Sequence, residues 1–513
     1  MPPSHQRSEK PPIIVLHPDD DVGVARRPLR PNELLSRPDG ELAVLEMIPP
    51  SHKISLKNIN PGQPVRKYGQ VIGFACGPIE AGRHVHTHNL EVRPFDRVTL
   101  PQACEPLNSY PHACERTFMG YDRGEGRSGT RNYIAIISNV NCSASVAKYV
   151  RDRFPAEVLK KDFPGVDGVL AFTHKSGCVI GPGEPTRLLN RVLAGVASHP
   201  NIAGYVMIGL GCEGNQLDFL KRDFLAGSAA DFLTIQTVGG LRKTVDAGTA
   251  AVLALLPKAN AVHRTPLPIA RLKLAENCGG SDANSGITAN PALGWASDEL
   301  IRYGGTSVLA ETPEIYGAEH LLAARAVSPE VATRLMDLIR WWERHVAAHD
   351  CSIDNNPSFG NKQGGLSTIY EKSLGAVAKG GQAPLTEVYG YAEPVKARGL
   401  CFMDTPGFDP VSMTGLMAGG CNVGVFTTGR GSVYGCKPMP CIKVATNTAL
   451  YDWMEEDMDF NAGGILDGTE TVAAAGRRLL EKIIAVASGE RTKSEVAGVG
   501  DEEFAPWIQG PTL

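Results

Sequence analysis

Apolar and polar positions along the chain change rhythm once. From Ile13 to about Leu100 the apolar residues come in short runs, broken at Pro61-Gly62, Gly69, Gly77 and Ala81-Gly82. Short runs between turn residues predict a small β-rich module. The stretch from Pro101 to Arg116 has three prolines and no periodicity, as a linker does. From Phe118 longer apolar runs alternate with amphipathic stretches, the pattern of βα units around largely parallel sheets. Three units read as YIAIISNV then SASVAKYVRDRF, GVLAFTH then TRLLNRVLAGVA, and GYVMIGLG then NQLDFLKRDFLA. After a break at Pro257 to Pro268, RLKLAEN leads into PALGWASDELIRYG. Further strands are predicted in GLCFMDTP, NVGVFTTGRG and IKVATN, with a helix around Met413 to Ala418. Near the end, ETVAAAGRRLLEKIIAVASG predicts a long helix with Gly489 as its cap. The expected class is α/β: a disordered start over 1–12, a β-rich domain over 13–100, a linker over 101–117, and α/β domains over 118–262 and 263–513.

Composition narrows the function. At 513 residues the chain exceeds one ordinary core, and 42% hydrophobic with 21% charged residues is the balance of a folded globular protein. A formal charge of -4 with no dense basic run gives no footprint for nucleic acid or anionic membrane. No apolar run reaches signal-peptide or membrane-span length, so a cytoplasmic protein acting on small molecules is expected. Twelve cysteines are too sparse for a disulfide scaffold, and their positions matter more than their number.

Four cysteines sit just past apolar runs: Cys142 in NVNCSAS, Cys178 in THKSGCVIG, Cys212 in GLGCEGN and Cys278 in ENCGGSD. In open α/β sheets the carboxyl ends of strands border the ligand crevice, and thiolates there are soft metal ligands. Cysteine also packs well at tight corners, which is the competing reading. Cys76, Cys104, Cys114, Cys351 and Cys401 lack this context and read as packing or surface residues. No CxxC pair occurs, which disfavours a structural zinc ribbon and leaves an open site for iron or an iron-sulfur cluster. In GRHVHTHN, His84, His86 and His88 alternate, and a period of two in a β-rich segment predicts all three on one strand face, able to grip a transition metal. A solvated edge strand would look the same.

With these residues in view the chain resembles the altronate/galactarate dehydratase family from about Ile13 to Leu513. The first domain is similar to that family's SAF (β-clip) domain through His52-Lys53, Lys67-Tyr68-Gly69 and HVHTHN. GYDRGEGRSGTRN opens the second domain, and the third carries CGGSDANSGITANPALG, NPSFGNKQGG and TTGRGSVYG. HVHTHN, PEIYGAEHLL and AHDCSIDNNP look like the altronate branch, which acts in hexuronate catabolism. Sulfolactate sulfo-lyases share the motifs but divide them between two chains. The resemblance implies a hydro-lyase that uses iron, with manganese as an alternative. It also implies a sugar-acid substrate such as D-altronate; galactarate or another aldonate or aldarate is the alternative, and a homodimer is the expected assembly.

Dehydrating such an acid requires a cation for the charge that builds on the carboxylate, a base for the neighbouring proton, and an acid for the departing hydroxyl. The cysteine and histidine groups are the metal candidates. Arg430, flanked by glycines, can fork onto a carboxylate. His174 and Lys362 are the candidate bases. Asp282 is a further catalytic candidate, and Ser281, Asn290, Asn361 and Thr428 are candidate substrate contacts. Asp282 and Ser281 fit equally well as helix caps, Asn290 as a turn former before Pro291, and Glu213 is open in the same way. A nucleotide-dependent oxidoreductase is weakened because no GxGxxG opens the first unit and no P-loop occurs. A non-catalytic sugar-acid binding protein is the third reading.

Overall fold

Strand pairing in a computed structural model, which describes residues 10–95, 107–110, 115–181, 183–228 and 230–509, divides the chain into a β module and two parallel sheets. Most of the 1–12 segment and of the 101–117 linker lies outside the described residues, as do Cys104 and Cys114. The N-terminal module pairs Ile13–Ile14, Val22–Ala25, Lys53–Ser55 and His84–Val85 in one antiparallel sheet. A second sheet joins Pro64–Lys67, Gln70–Ala75 and Leu90–Glu91. Tyr68 and Gly69 both take positive φ between the paired strands, the two-residue turn that matches strand twist. A Cβ on Gly69 would lie 2.9 Å from the His17 ring, so the tyrosine is fixed by a turn its neighbour cannot leave.

The second domain is a four-stranded parallel sheet in the order Gly168–Phe172, Tyr133–Ser138, Ile202–Gly209, Asp231–Thr234. Both faces are covered, so its strands read as unbroken apolar runs. Ile134 and Ile136 pack with Val146 and Val150 of the helix Ala144–Arg151 and with Val252 of Leu241–Asn260. Ala135 and Ile137 face the helix Glu184–Ala197 on the other side. The strand entering this domain, Thr117–Asp122, pairs antiparallel with Thr265–Pro268, which leaves it.

The third domain is a seven-stranded, wholly parallel sheet. Its order is Leu385–Tyr389, Gly399–Met403, Thr306–Leu309, Lys273–Cys278, Val423–Thr428, Cys441–Ala445, Phe460–Asn461. The predicted long helix is Val472–Ala487, followed by Gly489 at φ 114°. A β-rich module followed by α/β domains with parallel sheets is therefore the architecture. Among the described residues no helix is long and apolar enough to cross a membrane.

One helix decides where the site lies. Ile369–Val377 is buried at every position, which requires cover on all sides. Leu374 and Val377 pack into a core shared by Val65, Ile72 and Val85 of the β module and Leu309 and Phe402 of the large sheet. The module thus presses onto the carboxyl end of that sheet, where ligands bind in such folds.

Candidate active site

The seam between module and sheet is held by charge. Glu371, on the buried helix, accepts from Lys53 Nζ at 2.8 Å and from Lys67 Nζ at 2.9 Å, and all three side chains are fully buried. Burial opposes the Glu371 carboxylate, yet the two ammonium groups, with Ser367, hold it well below the usual carboxylate range. Two cations on one anion leave this floor electropositive. Ser51-His52-Lys53 then runs along the loop at 361–365: His52 Nε2 meets the Gln363 carbonyl at 3.2 Å, and Lys53 Nζ donates to the Gly365 carbonyl at 2.7 Å. Ser51 Oγ accepts from Asn284 of the next loop at 2.8 Å.

Antiparallel pairing of Lys53–Ser55 with His84–Val85 sets His52 beside the alternating histidines. His52, His84 and His86 each offer a ring nitrogen within 4.8 Å of the others, and their ring centroids are 4.9 to 5.3 Å apart. A carbonyl only accepts, so the Gln363 contact places the His52 proton on Nε2 and turns the Nδ1 lone pair toward His84 Nε2, 2.9 Å away. Burial, reinforced by neighbouring imidazoles and Lys53, lowers His84 to about 3 and His86 to about 4, so both rings are neutral at neutral pH. His86 Nδ1 is buried with no hydrogen-bond partner. An unpartnered buried nitrogen beside two neutral rings fits a divalent transition ion, with Gln363 fixing the His52 tautomer from behind.

The expectation that His84, His86 and His88 share a strand face is corrected. The strand ends at Val85, and Asn89 folds the next residues back by accepting from His86 N–H and donating to the His84 carbonyl. His88 is left exposed outside the set, and His52 takes the third place.

The four strand-end cysteines also divide. Cys142, Cys178 and Cys212 are exposed at the carboxyl edge of the four-stranded sheet. Cys278 is buried in the third domain, 2.9 Å from Lys379 Nζ and 3.5 Å from Glu314. Burial pushes its thiol up to about 12 although Lys379 opposes this, so it stays protonated. Cys278, Glu311 and Glu314 could in geometry surround an ion. Lys379 and Lys372 already stand 3.0 and 2.7 Å from those carboxylates and neutralise them. The remaining described cysteines behave as packing or surface groups: Cys76 and Cys351 are exposed and Cys401 is buried.

His174 does not join the seam. It is buried in the second domain, its Nε2 donates to the Ser138 carbonyl at 3.0 Å, and its Nδ1 accepts from Ser176 N–H at 3.2 Å, leaving neither nitrogen for substrate. Glu213, also in that domain, is buried against its own loop. Lys362 is half-buried on the short helix Phe359–Gln363, next to the residue that touches His52. Arg430 is exposed and leans over Gly364, where a Cβ would stand 3.3 Å from Arg430 Cδ. The 361–365 loop therefore lies between the imidazoles and this guanidinium.

The other candidates hold that loop in place. Asp282 accepts from Ser285 Oγ, Asn284 N–H and Thr446 Oγ1 at 3.0 to 3.1 Å. Asn361 caps its helix with Ser358 and donates to the Ser281 carbonyl at 2.9 Å. Asn290 bridges Thr427 and Gly375, and Thr428 Oγ1 accepts from Gly431 N–H. Ser281 Oγ is buried without a partner and is free to meet a ligand. Sequence reasoning missed Glu371, Glu311, Glu314, Lys372 and Lys379 as members of this region. The acidic pair in LAETPEI, just past a strand end, was the one available signal.

Comparison with known proteins matches the same three segments. Residues 11–93 match the profile of the altronate/galactarate dehydratase SAF domain. Residues 120–260 match the D-galactarate dehydratase/altronate hydrolase second domain, and 269–512 the D-galactarate/altronate dehydratase C-terminal domain. The chain is 36% identical to the altronate dehydratase of Bacillus subtilis (strain 168) over 98% of this chain and 99% of the relative. It is 33% identical to the altronate dehydratase of Escherichia coli (strain K12) over 94% and 96%. Identity to the galactarate dehydratase (L-threo-forming) of Escherichia coli (strain K12) is 36%, over 88% of each chain. With the SAF module, both α/β domains and the seam all accounted for, the chain belongs to the altronate/galactarate dehydratase family of hydro-lyases.

Proposed function

We propose that the chain dehydrates a six-carbon sugar acid, D-altronate to 2-keto-3-deoxy-D-gluconate and water, with ferrous iron held by His52, His84 and His86. The observation that carries the reading is the buried, unpartnered His86 Nδ1 facing two further neutral imidazoles at the seam. Bound there, a divalent ion supplies a Lewis acid for a substrate oxygen; manganese suits the same nitrogen donors.

The chain's own groups account for the rest. Arg430 pairs with the substrate carboxylate through its planar fork. The unequal Lys53–Glu371–Lys67 cluster adds positive potential beneath the anion. Lys362, on the short helix beside the Gln363 carbonyl that touches His52, is the candidate base for the proton on carbon 2. The electron pair left behind delocalises into the carboxylate and then expels the hydroxyl on carbon 3, which leaves as water once protonated, and the enol becomes the keto acid. Ser281 Oγ is positioned to hold a substrate hydroxyl. The void between Tyr68, Ser281, Asp282 and Lys372 is about 10 Å³, room for one water at most.

The test is anaerobic incubation of the purified chain with ferrous iron and, separately, D-altronate, galactarate and sulfolactate, following keto-acid formation. Turnover of altronate ahead of the others supports the assignment. Turnover of galactarate alone replaces the substrate but keeps the chemistry. Binding without turnover makes the chain a sugar-acid binding protein. Unchanged turnover after rigorous metal removal overturns the role of the ion.

A further inference from the structure

We propose that Cys142, Cys178 and Cys212 together hold an iron-sulfur cluster on the second domain, leaving one iron of the cluster open to solvent. This goes beyond the seam chemistry, since none of the three belongs to the seam. They follow three adjacent strands of one sheet, Tyr133–Ser138, Gly168–Phe172 and Ile202–Gly209, so their loops rise side by side. Backbone hydrogen bonds tie the loops together: Asn141 N–H to the Ser176 carbonyl at 2.9 Å, Gly214 N–H to the Cys178 carbonyl at 2.7 Å, and Asn215 N–H to the Gly177 carbonyl at 3.1 Å.

The cradle is built for close approach. A Cβ on Gly177 would lie 2.7 Å from the Asn139 carbonyl, one on Gly211 2.6 Å from Gln236, and one on Gly214 3.0 Å from the Cys178 carbonyl. Gly177 and Gly211 also take φ of +97° and +126°, and each directly precedes a cysteine. In the same loops Asn215 Nδ2 donates to Asn139 Oδ1 at 3.2 Å, and Asn215 Oδ1 is buried with no partner. Such rigidity is costly to build around three thiols that merely face water.

Among the described residues the charged and imidazole side chains near the thiols are already engaged. Glu213 spends its carboxylate on the N–H groups of Leu210 and Gly211, and both nitrogens of His174 are taken. The three thiols rise from loops that hydrogen-bond to one another. They are nevertheless not among the ligand sets that close within 4.8 Å among the described residues. Thiolates on one zinc ion stand about 3.8 Å apart, given a bond of about 2.3 Å in a tetrahedron. A wider trio fits a cluster whose irons and sulfides fill the space between the protein sulfurs, and soft thiolates select such clusters. Assembly takes two ferrous and two ferric ions and four inorganic sulfides from outside, so no electron is transferred, and releases the three thiol protons; the protein bonds formed are three iron–sulfur bonds.

The test reconstitutes the whole chain anaerobically with ferrous and ferric iron in equal amounts and sulfide, then measures iron, acid-labile sulfide and visible absorption. The variants are Cys142→Ser, Cys178→Ser and Cys212→Ser, with Cys351→Ser and His84→Gln as comparisons, each checked for an unchanged melting temperature. The expected result is sulfide bound in the wild type, Cys351→Ser and His84→Gln, and at least a tenfold loss in each of the three thiol variants. Iron without sulfide, zinc in place of iron, a Cys142–Cys178 disulfide after anaerobic handling, or sulfide that survives all three replacements would overturn the cluster. Because His84→Gln removes the seam ion and spares the cluster, failure of one reading is separable from failure of the other.

Discussion

Lys53 of the N-terminal module lies 2.8 Å from Glu371 of the C-terminal domain, and neither side chain reaches solvent. The pair crosses a separation of 318 residues and fixes the module on the sheet that carries the site. Replacing Glu371 by Gln leaves Lys53 and Lys67 buried without a counter-charge. Breaking such a pair costs on the order of 3 to 5 kcal/mol. Urea denaturation should therefore show Glu371→Gln to be far less stable than Lys53→Met, which keeps the Lys67 partner. Equal midpoints for the two variants would refute this account of the seam.

The imidazole set predicts a contrast within one short motif. On the proposed assignment His84→Gln removes a ligand, and its affinity for manganese or ferrous iron should fall by at least roughly 100-fold, the upper range for loss of even an outer partner. His88→Gln should bind as the wild type does, since that ring lies outside the set. Anaerobic calorimetric titration distinguishes them, and equal losses in both variants would return the ion to the strand face first expected.

Arg430 is exposed, so its replacement should leave the melting temperature unchanged. Arg430→Lys keeps the charge but loses the fork. Hydrogen bonds to charged groups contribute about 1.5 to 3 kcal/mol, which corresponds to a KM rise of roughly 10- to 100-fold with kcat much less affected. Steady-state kinetics on the preferred acid checks it; a fall in kcat at constant KM would move Arg430 from binding to chemistry.

The parts of this architecture that depend on short-range pattern are visible in the chain. Strands such as Tyr133–Ser138 and Val423–Thr428 announce themselves because both faces are covered, and the thiols at strand ends follow from that reading. The partition of those thiols does not. Cys278 repeats the local context of Cys142, yet it is buried among two glutamates and two lysines brought by segments 33 to 101 residues away. The histidine motif likewise gave two of the three clustered imidazoles, and period-two reasoning failed at His88 because Asn89 turns the chain one residue after the strand ends. His52 and Glu371 enter through pairing and docking over 32 and more than 300 residues, for which no local spacing exists.

His174 and His199 predict how stability depends on pH. Each buried ring donates from Nε2 to a carbonyl, of Ser138 and Cys421, and accepts a backbone N–H at Nδ1. Burial, only partly offset by the carbonyl, lowers both to about 4, whereas an unfolded histidine titrates near 6.5. Between those values the unfolded chain binds protons that the folded chain refuses, so the stability each ring contributes is complete above about pH 6.5 and is lost as pH falls toward 4. The loss by pH 4 is on the order of 3 kcal/mol per ring. Glu276, raised by burial to about 7, takes up a proton in the folded state over the same range and works in the opposite sense. The difference between variant and wild type isolates the imidazole. Denaturant midpoints of His199→Gln measured from pH 7.5 to 5 should fall less steeply than those of the wild type, and parallel profiles would show that the ring titrates freely.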